Sequence, residues 1–532
     1  MKKTARLATL VAAAVVAFGF SAPPAVAQVT AFKQAVAESA SVNDEIAEFY
    51  RENNYAPLWT GEGDVFVARR AALIDALKNA GIHGLPASRY DVSGLIAQLG
   101  SARTTRDLGM AEVAMTRMFL SYAHDVQTGL LTPSRIAPDI ARTVKRRDGS
   151  DLLAAFSAGQ PRAMLAALPP STREYRLLMK EKMRLERIAA NGGWGPAVKA
   201  KKLEPGDSGD AVVALRNRLI AMGYLGRSAS REFDVTVERG VRAFQDAHGL
   251  AVDGVAGPGT IKEVNRPADD RLKSVVVAME RERWTNFERG ERHILVNLAD
   301  FTAKIIDQGE VTFRTRSVVG KNTYDRRSPE FSDVMEHMVI NPSWYVPRSI
   351  MTKEYLPKLQ SNPGAVNHLI ITDSRGRRVN REEMDFTEFS TTNFPFDMRQ
   401  PPGARNALGR VKFMFPNKHN IYLHDTPEKH LFSRESRAFS HGCIRLADPY
   451  DFAYALLARQ SDDPKGDFQR ILKTGQETKV DLVQPVPVHL IYRTAVISPL
   501  GKAEFRRDVY ERDGKIWRAL RDAGVALVAV QG

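Results

Sequence analysis

One cysteine, Cys443, stands alone in 532 residues. The chain therefore forms no internal disulfide, and its folds must be held by packing. Long apolar runs are also scarce. The most apolar stretch beyond the N-terminus, Met110 to Leu131, contains Arg117, His124 and Asp125, so it reads as a buried helix and not as a membrane span. No Lys/Arg block with interleaved aromatics occurs, although the formal net charge is +14, and this argues against a nucleic-acid partner. Aromatics at 8%, with 43% hydrophobic and 26% charged residues, exclude a fibrous or disordered chain.

The N-terminus holds what the rest lacks. Lys2, Lys3 and Arg6 precede an apolar Leu7 to Phe20, and Ala25-Val26-Ala27 precedes Gln28. This is the pattern of a cleaved secretory signal peptide over residues 1–27, with an uncleaved anchor as the alternative. Those residues carry three cations and no carboxylate, leaving 73 Lys and Arg against 62 Asp and Glu, a net of +11. A basic protein outside the cytoplasm suits an anionic polymer or surface. A lone thiol in an oxidising compartment is a liability, so its place in Ser440-His441-Gly442-Cys443 marks it as a candidate nucleophile.

The predicted fold class is multidomain α+β. Residues 28–200 read as a helical domain; Ala71, Leu73, Ile74, Leu77 and Ala80 recur at helical spacing before Gly81. Tyr55 to Trp59 reads as a rigid aromatic loop of the core. Residues 203–265 form a separate unit: a Gly206 to Gly209 turn, a helix with Val212, Leu215 and Leu219, then Gly223-Tyr224-Leu225. A second helix carries Val237, Val241 and Phe244, and Asp253-Gly254 precedes a short third helix near Thr260. This order resembles the type 1 peptidoglycan-binding domain, a three-helix module; a plain structural spacer is the other reading. From 290 to 500 the period becomes two. Strands are expected at His293–Leu298, Phe301–Asp307, Val311–Val319, Val334–Ile340, Val411–Phe415, Asn420–His424 and Val488–Tyr492, with Gln308-Gly309 as a hairpin turn. Residues 350–404 break the pattern with five prolines and read as a compact cap inserted into the β domain. Residues 501–532 complete that domain or form a tail.

A cysteine thiol is mostly protonated at neutral pH and needs a base or dipole beside it. His424 ends an apparent strand, and Cys443 precedes Asp448-Pro449, which signals a helix start. A strand-end histidine facing a cysteine on the adjoining loop is a base–nucleophile arrangement. The Gly442 and Cys443 N–H groups are placed to form an oxyanion hole, with no side chain at Gly442 to block a carbonyl.

His424, fifteen residues, then Ser440-His441-Gly442-Cys443-Ile444-Arg445 resembles the signature of YkuD-type L,D-transpeptidases. With the leader, helical region, binding module and cap, the chain is similar to the larger scaffold-bearing members from Gram-negative bacteria. The resemblance implies a periplasmic enzyme of cell-wall biogenesis without cofactor or metal, sensitive to carbapenems. It implies Cys443 as nucleophile and His424 as general base and acid. The third group would be the Asp425 backbone carbonyl, a Cys-His-Asp side-chain triad being the minor alternative. Ser440 and His441 would shape the loop. Arg445 would bind a substrate carboxylate or form an internal ion pair, and Tyr422 and Trp344 would line the cleft or belong to the core. The implied partners are donor and acceptor peptidoglycan stem peptides, and other cell-wall enzymes.

The implied reaction releases D-Ala from a tetrapeptide stem and passes the acyl group to a diamino acid, giving a 3→3 cross-link. On the same fold, water as acceptor would make a carboxypeptidase, cleavage of an existing link an endopeptidase, and a lipoprotein acceptor an attaching enzyme. Two other classes compete. His419, His424, His430, His441 and Cys443 lie near one another in sequence, as in a zinc hydrolase, but match no common ligand spacing. A non-catalytic wall-binding protein would explain the module and the charge but leave the Cys443 motif without a role.

Overall fold

The computed structural model describes residues 30–527; the leader expected at 1–27 lies outside the described residues. The chain is a multidomain α+β protein whose N-terminal part is all helical. Its central helix, Thr105–Thr128, begins with a reciprocal cap between Thr104 and Asp107 and ends at Gly129, where φ is 90°. That glycine supplies a backbone conformation other residues adopt at a cost. Trp59 is fully buried against Phe119 and Phe156, and its loop is pinned by the buried Glu112 carboxylate, which accepts the Leu58, Trp59 and Thr60 amides. The expected helix around Ala71 runs Asp64–Lys78 and stops short of Gly81; Ala80 instead opens a 3-10 turn, and Ala72, not Ala71, faces the core.

The three-helix module has helices Asp210–Ala221, Val235–Ala247 and Pro258–Val264 around Val212, Leu215, Leu219, Val237, Val241 and Phe244. One element has no counterpart in the sequence pattern. Ala268–Trp284 is a long helix buried on every face from Val275 to Trp284, and it packs on Arg173–Ala190 and on the C-terminal hairpin and helix. Its Arg281 pairs with Glu330 at 2.6 Å and Asp513 at 3.2 Å, while Arg512 pairs with Glu330 at 3.1 Å and Asp139 at 2.7 Å. A buried charge network of this kind fixes relative position more than it adds stability.

The β domain contains fourteen strands among the described residues: β1 (Arg292–Asn297), β2 (Thr302–Asp307), β3 (Glu310–Gly320), β4 (Phe331–Ile340), β5 (Trp344–Tyr345), β6 (Ile370–Thr372), β7 (Asp397–Gln400), β8 (Val411–Met414), β9 (Leu423–His424), β10 (Ala438–Ser440), β11 (Ile444–Leu446), β12 (Thr478–Ile491), β13 (Ala495–Ile497) and β14 (Ala503–Phe505). Nine form one sheet in the order β10-β3-β11-β9-β8-β4-β12-β1-β2, and β2 also pairs with β3, so the sheet closes on itself. The β2–β3 turn is Gln308-Gly309 with φ of 51° and 88°, the geometry of a two-residue hairpin loop. β9 covers only Leu423–His424; upstream, Asn420 takes a positive φ of 53° and the Asn417 side chain engages both backbone groups of Ile421.

The insertion is a subdomain with its own core of Trp344, Ile350, Leu359, Ile371, Phe394 and Met398 and its own sheet, β5-β7-β6. It starts at Trp344, earlier than the proline-rich region suggests. The C-terminal segment completes the fold: β13 and β14 form a hairpin, and helix Arg512–Asp522 buries Ile516 and Leu520.

Candidate active site

The site rests on three adjacent short strands. β9 pairs parallel with β11, placing Leu423 beside Ile444 and His424 beside Arg445, and antiparallel with β8, placing Lys412 opposite His424. Leu423 and Ile444 are fully buried in the core, so alternation turns Tyr422, His424, Cys443 and Arg445 to the other face. The Tyr422 ring lies 5.6 Å from the His424 ring. The Cys443 thiol donates to the Asn420 carbonyl at 3.6 Å.

His424 Nδ1 donates to the Asp425 carbonyl oxygen at 2.5 Å. The Asp425 carboxylate points elsewhere: it accepts from the Arg410 and Thr426 amides and pairs with Lys429 at 2.6 Å. The geometry therefore offers the histidine a backbone carbonyl and not a carboxylate.

The loop that bears Cys443 is held from inside. Ser440 Oγ donates to the Cys443 carbonyl at 2.6 Å and accepts the Gly442 N–H at 3.1 Å. Of the two donors expected for an oxyanion hole, the Gly442 N–H is engaged within the loop, whereas the Cys443 N–H has no partner among the described residues. Gly442 has φ of 121°, and an added Cβ would stand 3.1 Å from Ile421, so glycine is required by conformation as well as by access. Ser328, which no sequence signal marks, donates to the Gly442 carbonyl at 2.6 Å. Tyr510, from the C-terminal segment, donates to the Gly320 carbonyl beside it. Asp448 does not cap the following helix, Pro449–Leu457; its carboxylate accepts the Thr315 hydroxyl.

Burial sets the protonation states. It pushes the Cys443 thiol up to about 11, against weaker opposing effects of Tyr422 and the Arg445 charge. Burial and then Arg445 push His424 down to about 3, while the Asp425 and Leu408 carbonyls pull it back only partly. Tyr422 is raised by burial and by the adjacent Cys443. Both shifts favour the neutral forms, a thiol and an imidazole.

Residues 291–480, which contain all of these groups, match the family model of the L,D-transpeptidase catalytic domain, YkuD. The chain carries a YkuD L,D-transpeptidase catalytic domain. Residues 44–181 match the model described as "Scaffold domain", and 208–263 match the model described as "Putative peptidoglycan binding domain". A Haemophilus influenzae protein named "Putative L,D-transpeptidase" is 30% identical over 242 residues, 45% of this chain and 48% of that one. The chain thus spans about half the length of that relative. The "Zinc D-Ala-D-Ala carboxypeptidase" of Streptomyces albus G is 39% identical over 72 residues, 13% of this chain and 28% of its own. The L,D-transpeptidase structure from Xylanimonas cellulosilytica aligns at 15% identity over 56% of this chain and 99% of that chain, with a TM-score of 0.17, too low for any argument.

Within the YkuD domain the remaining expected residues separate. Arg445 is ion-paired with Glu428. Tyr422 is half-buried against the thiol. Trp344 does not line the cleft; it is buried in the cap core, edge-on to Tyr355. His419 packs on Phe331 and His430 sits in a separate turn, and no three potential metal ligands converge among the described residues. His441 leaves the site and joins Glu354 of the cap.

Proposed function

We propose that this protein is a secreted L,D-transpeptidase that cross-links peptidoglycan through a Cys443 thioester. The observation that carries the reading is the β9–β11 register, which sets Cys443 and His424 on one face beside a Cys443 N–H that has no partner among the described residues. Because Nδ1–H of neutral His424 is donated to Asp425, Nε2 holds the free lone pair and takes the thiol proton as sulfur attacks the third-residue carbonyl of a tetrapeptide stem. Attack and proton transfer occur together, since burial disfavours a resting thiolate. Cys443 N–H stabilises the oxyanion. His424 returns its proton to the departing D-Ala amine. It then accepts one from the side-chain amine of a diamino acid that takes the acyl group, and passes it to the departing Cys443 sulfur, which restores the neutral thiol and imidazole. The leader at 1–27 would deliver the enzyme to the periplasm, and the module would hold it at the wall.

Incubation of mature protein with a disaccharide tetrapeptide tests this. Cross-linked dimer with free D-Ala is the expected product. Tripeptide alone would make the enzyme a carboxypeptidase, and no turnover would defeat the proposal.

A further inference from the structure

We infer that a cationic groove between the three-helix module and the YkuD domain is a second binding site, which takes the carboxylates of a stem-bearing peptidoglycan strand. Two adjoining cavities, of about 510 and 220 Å³, share Asp300, Thr302, Arg314 and Arg506 in their walls. One wall is the end of the module at Asp246 to Ala251, another the outer face of β2–β3, and a third the C-terminal hairpin. Arg506 ties the walls together by donating to the Ala247 carbonyl at 2.7 Å and pairing with Glu504 at 2.7 Å.

The charge arrangement points to a ligand. Lys304 and Arg314 are directly opposite across β2–β3, and Arg316 follows two residues on, on the same face. Like charges in that relation oppose folding. Arg437 packs beside them, hydrogen-bonded only to carbonyls such as that of Arg434 at 2.9 Å, and Arg434 lies at the rim. None of these five cations has an ion-pair partner among the described residues. Carboxylates also face the groove, and some are ion-paired. Glu174, Glu435 and Glu504 pair with Arg493, Arg507 and Arg506. Asp300 and Asp448 accept only from neutral groups of Thr302 and Thr315, so five unpaired cations face three carboxylates, Asp246, Asp300 and Asp448, that also lack an ion-pair partner among the described residues. Burial and the neighbouring Arg316 and Arg314 charges depress Arg437 to about 10, against an opposing pull from Asp300.

Guanidinium groups spaced along a groove suit separate carboxylates on a polymer. Stem peptides carry such carboxylates at each repeat. The groove ends at residues 432–437, and the same connection carries Glu428 against Arg445 at the site. A strand lying in the groove would thus keep neighbouring stems close to Cys443. The choice of ligand rests on the proposed function; the existence of an anion site does not.

The test uses the full mature chain as Cys443→Ala, with and without Arg314→Glu plus Arg434→Glu. Binding of soluble, uncross-linked glycan chains bearing tetrapeptide stems is measured, beside the same chains with stems removed. The charge reversal should weaken stem-bearing chains at least tenfold and leave stem-free chains alike for both forms. The melting temperature should hold or rise, because the carboxylate introduced at position 314 would face Lys304 as an opposite charge. Equal affinity for stem-bearing chains would overturn the proposal. So would stem-free chains binding as tightly, or polyphosphate or anionic vesicles displacing the stem-bearing chains at lower concentration. Turnover of the monomeric tetrapeptide by the Cys443-intact chain is scored separately: its failure would sink the proposed function and leave the binding result standing.

Discussion

Glu354, on the cap, accepts His441 Nε2 at 2.6 Å and pairs with Arg326 at 2.7 Å, so one carboxylate joins the cap to the loop that bears Cys443. It sits in the π-helical turn Met351–Tyr355, a local irregularity frequent at functional sites. Although burial opposes ionisation, His441 and Arg326 hold the Glu354 carboxyl below its usual range. Lys353 adds a second tie to Asp325 at 3.2 Å.

We propose that this joint keeps the cap closed over the thioester and favours amine over water as acceptor. Glu354→Ala should lower the dimer-to-tripeptide product ratio several-fold. The joint is about one third exposed on both sides, so the variant should lose no more than about 1 kcal/mol of stability. Product masses and a thermal melt check both; an unchanged ratio in a folded variant would remove the cap from acceptor choice.

Asp425 separates its two functional groups, carbonyl to His424 and carboxylate to Arg410, Thr426 and Lys429. Asp425→Asn should therefore keep kcat/KM within about threefold while costing about 1–3 kcal/mol of stability from the buried network. A side-chain triad would instead lose roughly four orders of magnitude in rate. Kinetics and denaturation on one preparation distinguish them.

With the Cys443 thiol pushed up to about 11, only about one molecule in ten thousand is thiolate at pH 7. A raised thiol pKa makes alkylation slow at neutral pH and faster as pH rises. The rate with iodoacetamide should increase about tenfold per pH unit from 6 to 10. A plateau near neutral pH would reveal a resting thiolate–imidazolium pair and contradict the neutral site.

The motif residues Cys443 and His424 stand out in the sequence because the pattern that carries them uses few, distinctive side chains. So are the module's helices, whose Val212, Leu215 and Leu219 obey a local period. What cannot be read arises from long-range contact. Ser328 and Tyr510 look ordinary in sequence, yet Ser328 holds the Cys443 loop from 114 residues away, and Tyr510 braces Gly320 on β3 from 190 residues away. The helix Ala268–Trp284 hides its amphipathic pattern because its charged residues are buried as ion pairs. Sequence reasoning turns the Gly442 amide outward, because nothing local reveals that Ser440 turns back to accept it. The cap is recognisable by loss of period, but its first strand, Trp344–Tyr345, is too short to carry one.

The central claim is a thioester on Cys443, and intact-protein mass spectrometry reads it directly. Mature enzyme quenched in acid during turnover of a disaccharide tetrapeptide should gain the substrate mass less that of the released D-Ala. The adduct should map to the peptide containing Cys443, be released by hydroxylamine at neutral pH, and be absent from Cys443→Ala. Cross-linked dimer made by Cys443→Ala, or an adduct on any other residue, would contradict the account.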